Sequence, residues 1–207
     1  MVDINLDAFE PAATQSSGSE HNALNAHPHL ATTAEPRQTA QLKLQPEATS
    51  ASEQATAKRV EIYTDGGCQP NPGPGGWGAV LIFNGREKEL YGYEAATTNN
   101  RMEMLAAIRA LEALKFPCQV KLHSDSALLI NAFTKNWIPG WQRKGWVNAS
   151  KEPVKNRDLW ERLVELSRDH QVEWVKVKGH AGIHYNERCD QLCHQAITEG
   201  KARQATS

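Results

Sequence analysis

Residues Val60–Phe83 read VEIYTDGGCQPNPGPGGWGAVLIF. The opening Val-Glu-Ile-Tyr-Thr is rich in β-branched and aromatic residues, which predicts a strand over 60–64. Asp65 then meets Gly66-Gly67, and five glycines and three prolines fall between Gly66 and Gly76. Such a density of glycine and proline predicts repeated tight turns, with a second strand, Trp77–Phe83, leaving them. On this reading Asp65 stands at a strand end, with a stiff strand behind it and solvent in front. An Asp-Gly pair is also a common turn device, so the segment alone does not separate a catalytic aspartate from a capping one.

Asn84-Gly85 follows, a strong two-residue hairpin signal, and Arg86–Glu94 returns as a third strand. RMEMLAAIRALEALK, residues 101–115, has the propensity and the 3.6-residue apolar spacing of a helix, which Pro117 ends. Val120–Ser124 is a fourth short strand closed by Asp125, and 126–135 is helical. Residues 136–150 look irregular and carry Trp137, Trp141 and Trp146 beside Lys135, Arg143 and Lys144. A helix over 156–170, a strand over 172–177, the loop KGHAGIHYN and a helix over 185–199 complete the chain. Three strands in hairpin order followed by alternating helix and strand predict one α/β domain: a five-stranded mixed sheet with helices on both faces.

Charge divides the chain in two. Residues 1–57 carry seven acidic and two basic residues, net -5, and the remaining 150 carry 17 acidic and 21 basic, net +4. The first segment is Ala, Thr, Gln, Ser and Pro with Phe9 as its one aromatic, so it is expected to be a disordered tail. Residues 58–207 form the expected folded domain, with its last eight or so residues frayed. The mildly basic balance there permits a polyanionic partner. Neither a secretory or transit signal nor a membrane span is legible, and the four cysteines show no paired framework, so a reducing cytoplasm is expected. The protein is also expected to be a monomer.

Four acids stand at element boundaries: Asp65, Glu103, Asp125 and Asp190. If the first and fourth strands are neighbours, their terminal carboxylates approach closely and repel unless a cation lies between them. Magnesium or manganese suits such oxygen ligands. Each acid also has an ordinary structural reading. Glu103 could close a capping box with Asn100, Asp190 could favour a helix dipole, and Asp125 could cap the next helix. Cys189 and Cys193, spaced i, i+4 beside His194, could suggest a metal, but they lie on an apolar helix face and read as core.

The neighbours of these acids identify a family. TDGGCQPNPGPGGWGAVL, TTNNRMEMLAAIRALEAL, SDSALLINAF, PVKNRDLWERL and VKGHAGIHYNERCDQL, in that order, closely resemble type 1 ribonuclease H over residues 59–197. The resemblance implies cleavage of the RNA strand of RNA–DNA hybrids with two divalent ions, leaving 5′-phosphate and 3′-hydroxyl ends. It places the four metal-binding carboxylates on Asp65, Glu103, Asp125 and Asp190, and a loop histidine on His180. His180 is flanked by Gly179 and Gly182 and is read as a mobile proton carrier. Hybrid contacts fall on Cys68, Asn71, Asn99 and Asn100, with Thr98 beside them. The Trp137–Trp146 segment, through Trp137, Arg143 and Lys144, is a candidate seat for the DNA strand, although at least two of its three tryptophans are expected inside. Ala127 stands where the family often has Gln. Ile183-His184-Tyr185 stands where His-Pro-Glu is common. A strand-cutting integrase or transposase relative would share an acidic triad but not the NPGPGG and NNRMEM segments, and a non-catalytic hybrid binder would be expected to lack a carboxylate.

Overall fold

The computed structural model describes residues 58–179 and 182–206. The expectations for residues 1–57 and for His180 lie outside the described residues. Five strands, β1 (Lys58–Cys68), β2 (Gly73–Phe83), β3 (Arg86–Thr97), β4 (Cys118–Ser124) and β5 (Gln171–Lys176), form one sheet in the order β3-β2-β1-β4-β5. The first three pair antiparallel, and β4 lies parallel to both β1 and β5. The predicted hairpin is present: Asn84 and Gly85 have φ of 51° and 72°, the left-handed pair that a two-residue turn demands.

The helices are α1 (Asn99–Glu112), α2 (Ala127–Thr134), α3 (Trp137–Arg143), α4 (Arg157–Asp169) and α5 (His184–Ala205). Alternation along β1 sends Val60, Ile62 and Thr64 into the main core, which includes Met104, Ala107 and Leu111 of α1 and Leu129, Trp160 and Leu163. The opposite face meets α5 in a smaller cluster of Val80, Cys189 and Leu192, with Tyr63 and Tyr185 against it. Helices therefore cover both faces, as expected, and α5 remains helical to Ala205, beyond the 199 read from the sequence.

Two expectations are corrected. The glycine-rich stretch is mostly strand: β1 runs through Asp65 to Cys68, and its register with β2 continues to Cys68↔Gly75. Only residues 69–72 lie between the two strands. The glycines serve close packing on both faces rather than turning. A Cβ on Gly78 would lie 2.4 Å from the Cys189 carbonyl oxygen, and one on Gly76 would lie 2.4 Å from that of Cys193, so α5 rests on bare backbone. The stretch over 136–150 is not wholly irregular, because α3 occupies its first half. Of its tryptophans only Trp146 is buried. Trp137 and Trp141 are half-buried against the core, and the Trp141 ring lies 5.5 Å from that of Trp160.

Candidate active site

Sheet topology brings the first two acids together. In the parallel pairing of β1 with β4, Thr64 faces Ser124, so the next residues are Asp65, still within β1, and Asp125, just past the end of β4. Asp65 is not at a strand end. Its register partner is Gly78, and its Oδ1 accepts the Gly66 N–H at 2.8 Å.

Glu103 is delivered by packing. A Cβ on Gly66 would lie 2.3 Å from the Met102 carbonyl carbon and 2.5 Å from the Glu103 nitrogen, so β1 and α1 touch through backbone at this point. The capping-box reading of Glu103 fails. Thr98 is the N-cap and its hydroxyl accepts the Arg101 N–H at 3.4 Å, while the Glu103 carboxylate accepts from the Ser126 hydroxyl. Ser126, not Asp125, caps α2, its hydroxyl accepting the Leu129 N–H at 3.2 Å. Burial pushes the Glu103 carboxyl above the usual carboxylate range, and the charges of Asp125 and Asp65 push the same way. The Ser126 bond and the Lys176 charge oppose that rise.

Asp190 comes from the second turn of α5, where the His194 Nδ1 lies 3.4 Å from its Oδ1. Asp65, Asp125 and Asp190 line a cavity of about 330 Å³, with Cys68, Gln69, Asn99, Cys193 and His194 on its walls. Glu103 stands behind it, close enough for Asp125 and Asp65 to affect its charge. Among the described residues no three carboxylate, imidazole or thiol groups close into a ready-made ion cage. The acids instead border an open cavity. Hard oxygen donors with room for water and phosphate oxygens suit magnesium or manganese, which keep waters and share a substrate's phosphate. The thiols are unsuited to such a role. Burial pushes Cys193 up to about 12, with Asp65 adding to the shift, and raises Cys189 further still.

The expected hybrid-contacting residues cluster beside the acids. The Cys68 N–H donates to Asn99 Oδ1 at 2.7 Å, and Asn71 Oδ1 accepts both the Asn99 N–H and the Cys68 thiol at 3.3 Å. A second cavity of about 470 Å³ is lined by Asn71, Thr98, Asn100, Trp141 and Asn156 among others. Arg143 and Lys144 are exposed at the end of α3. Sequence reasoning missed Ser126, Lys176 and Arg101. Ser126 was detectable as a serine before a helix. Arg101, which bridges α1 to Asn156 and Asp158, and Lys176 gave no local signal.

A family model described as RNase H matches residues 57–198. The chain belongs to the ribonuclease H family of enzymes. A ribonuclease H of Symbiobacterium thermophilum is 61% identical over 143 residues, 69% of this chain and 97% of that protein. One from Chlorobaculum parvum is 57% identical over 142 residues, covering 69% and 97%. The crystal structure of LC9-RNase H1, a type 1 RNase H with the type 2 active-site motif, superposes with a TM-score of 0.62 at 29% identity, covering 69% of this chain and 74% of that one. LC11-RNase H1, solved in complex with an RNA/DNA hybrid, gives 0.54 at 28% identity, covering 68% and 98%. The ribonuclease H match takes in all four carboxylates, and the five-stranded mixed sheet expected from the sequence is the sheet observed.

Proposed function

We propose that this protein cuts the RNA strand of RNA–DNA hybrids internally, by water attack at phosphorus, leaving 5′-phosphate and 3′-hydroxyl ends. The observation that carries this reading is the parallel register of β1 and β4, which sets Asp65 beside Asp125 on the wall of an open, acid-lined cavity. Asp65, Glu103, Asp125 and Asp190 would hold two divalent ions, magnesium first and manganese as a substitute. Such ions, when bound, supply Lewis-acid activation of the phosphodiester and of the attacking water.

The chain's own residues supply position and selection. Asp65 is held by its pairing with Gly78 of β2, one residue past the last β1–β4 pair, and Glu103 by Ser126, so the acids keep their places before substrate arrives. The segments around Cys68–Asn71 and Thr98–Asn100 are tied to each other by the bonds of Asn71 and Asn99. They present backbone and amide groups suited to the 2′-hydroxyls that distinguish RNA. Trp137, Arg143 and Lys144 on and beside α3 would meet the DNA strand through its phosphates. His180 would carry a proton during turnover. The same reading has the enzyme acting as a single copy in the cytoplasm, a setting that suits four free thiols.

The test is cleavage of end-labelled hybrid, duplex RNA and duplex DNA, with and without Mg²⁺, followed by end-group analysis of the products. Cleavage of duplex DNA, or of hybrid in the presence of a chelator, would overturn the proposal.

A further inference from the structure

The chain leaving β5 wraps around Asp125. Lys176, the last residue of β5, pairs in register with Ser124, and the Val177 N–H donates to the Ser124 carbonyl at 3.1 Å. The Lys176 ammonium donates to the Asp125 carbonyl oxygen and, at 3.1 Å, to that of Val177. Three residues past Lys176, a Cβ on Gly179 would lie 2.4 Å from Asp125 Oδ2, so the carboxylate rests directly on the backbone of this turn. Asp125 is thus gripped twice, at its main chain by an ammonium and at its carboxylate by a residue without a side chain. The Lys176 charge also acts on Glu103, opposing the two aspartates.

An exposed lysine ordinarily keeps its ammonium in water, where it has more rotamers and full hydration. Here the group is committed to two backbone carbonyls at the edge of an acidic cluster. We propose that Lys176 is a positioning residue: it fixes Asp125 against β5 and keeps a resident positive charge at the edge of the acidic cluster. This inference rests on the metal-binding reading of those carboxylates. It has two consequences of opposite sign. Without the ammonium, Asp125 loses a tether and turnover falls. The cluster also becomes more negative, so a divalent cation binds more tightly while the metal-free protein becomes less stable.

The experiment compares the full chain with Lys176→Met and Lys176→Arg. Met keeps the length without the charge, and Arg keeps both the charge and donors for two carbonyls. Three quantities are read at low ionic strength: Mg²⁺ affinity by calorimetry without hybrid, melting temperature in chelator, and kcat on hybrid at saturating Mg²⁺. For Lys176→Met the expected results are Mg²⁺ binding about threefold tighter, from loss of one cation at close range. The metal-free melt should fall by about 2 °C, as for a partly screened charge pair. The kcat should drop about tenfold, from a loosened Asp125. Lys176→Arg should restore all three. Unchanged Mg²⁺ affinity and kcat in Lys176→Met would overturn the inference, as would Lys176→Arg behaving like Met. A parent protein that neither binds Mg²⁺ nor cleaves hybrid would instead sink the functional reading beneath it.

Discussion

Gly66→Ala tests how the site is assembled. Gly66 lies on β1, directly after Asp65, and has no positive φ, so the substitution strains packing rather than backbone. The added Cβ would meet the Met102 carbonyl carbon at 2.3 Å, the Glu103 nitrogen at 2.5 Å and the Met102 oxygen at 2.6 Å, whereas ordinary contacts begin at 3.4 Å. All three atoms are backbone, so no side chain can rotate out of the way. The strand and helix must separate by about 1 Å, the difference between 2.3 and 3.4 Å. Overpacking of this kind costs about 2 kcal/mol. For a folded part of this size that is a fall in melting temperature of about 4–8 °C. The separation also moves Glu103 from Asp65, and a misplacement near 1 Å in a catalytic constellation costs up to about 10²-fold in rate. Gly140→Ala on α3 is the control. Nothing lies within 4 Å of its Cβ position, so the melt should hold or rise slightly. Melting curves and steady-state cleavage of hybrid would be measured for both variants and the parent. A Gly66→Ala enzyme that melts and cleaves like the parent would refute the claim that backbone contact between β1 and α1 sets the site.

Asp65→Asn should abolish cleavage while the metal-free melt stays level or rises, because one of several repelling carboxylates is neutralised. Residual turnover above a few per cent would remove Asp65 from the metal-binding set. Glu103 gives a pH signature. Its folded value is raised above the ordinary 4.5 by burial and by Asp125 and Asp65. Its protonated form therefore favours the folded state below that ordinary value, and this contribution is lost as pH rises through the higher folded value. In chelator, Glu103→Gln should accordingly gain stability relative to the parent as pH climbs from about 4 towards 7. Parallel stability curves for the two proteins would contradict the buried, repelled carboxylate. Truncation to residues 58–207 should leave turnover near that of the full chain and tighten hybrid binding slightly at low salt, since the removed segment carries net -5. A large loss of turnover would give residues 1–57 a part in the chemistry.

The amino-acid sequence by itself determined the order of elements, the hairpin at Asn84-Gly85, the helical course of residues 101–112 and the four acids worth examining. These are local quantities: turn chemistry, side-chain period and residue type within a short window. The resemblance to type 1 ribonuclease H was equally legible, because it is carried by five segments in order rather than by one motif. The tertiary structure decided what local signals could not reach. The glycine run from 66 to 76 reads as turn because glycine is weak in an isolated strand. It is strand here except at residues 69–72, because α1 and α5 press on it from both faces, and both helices need bare backbone to approach. Glu103 reads as a capping residue from its neighbours, yet Ser126, 23 residues away, takes its carboxylate. Lys176 carries no signal at all until β5 lies beside β4 and places its ammonium on the Asp125 carbonyl. In each case the deciding contact joins segments far apart in the chain, and such contacts exist only once the sheet has fixed which strands are neighbours.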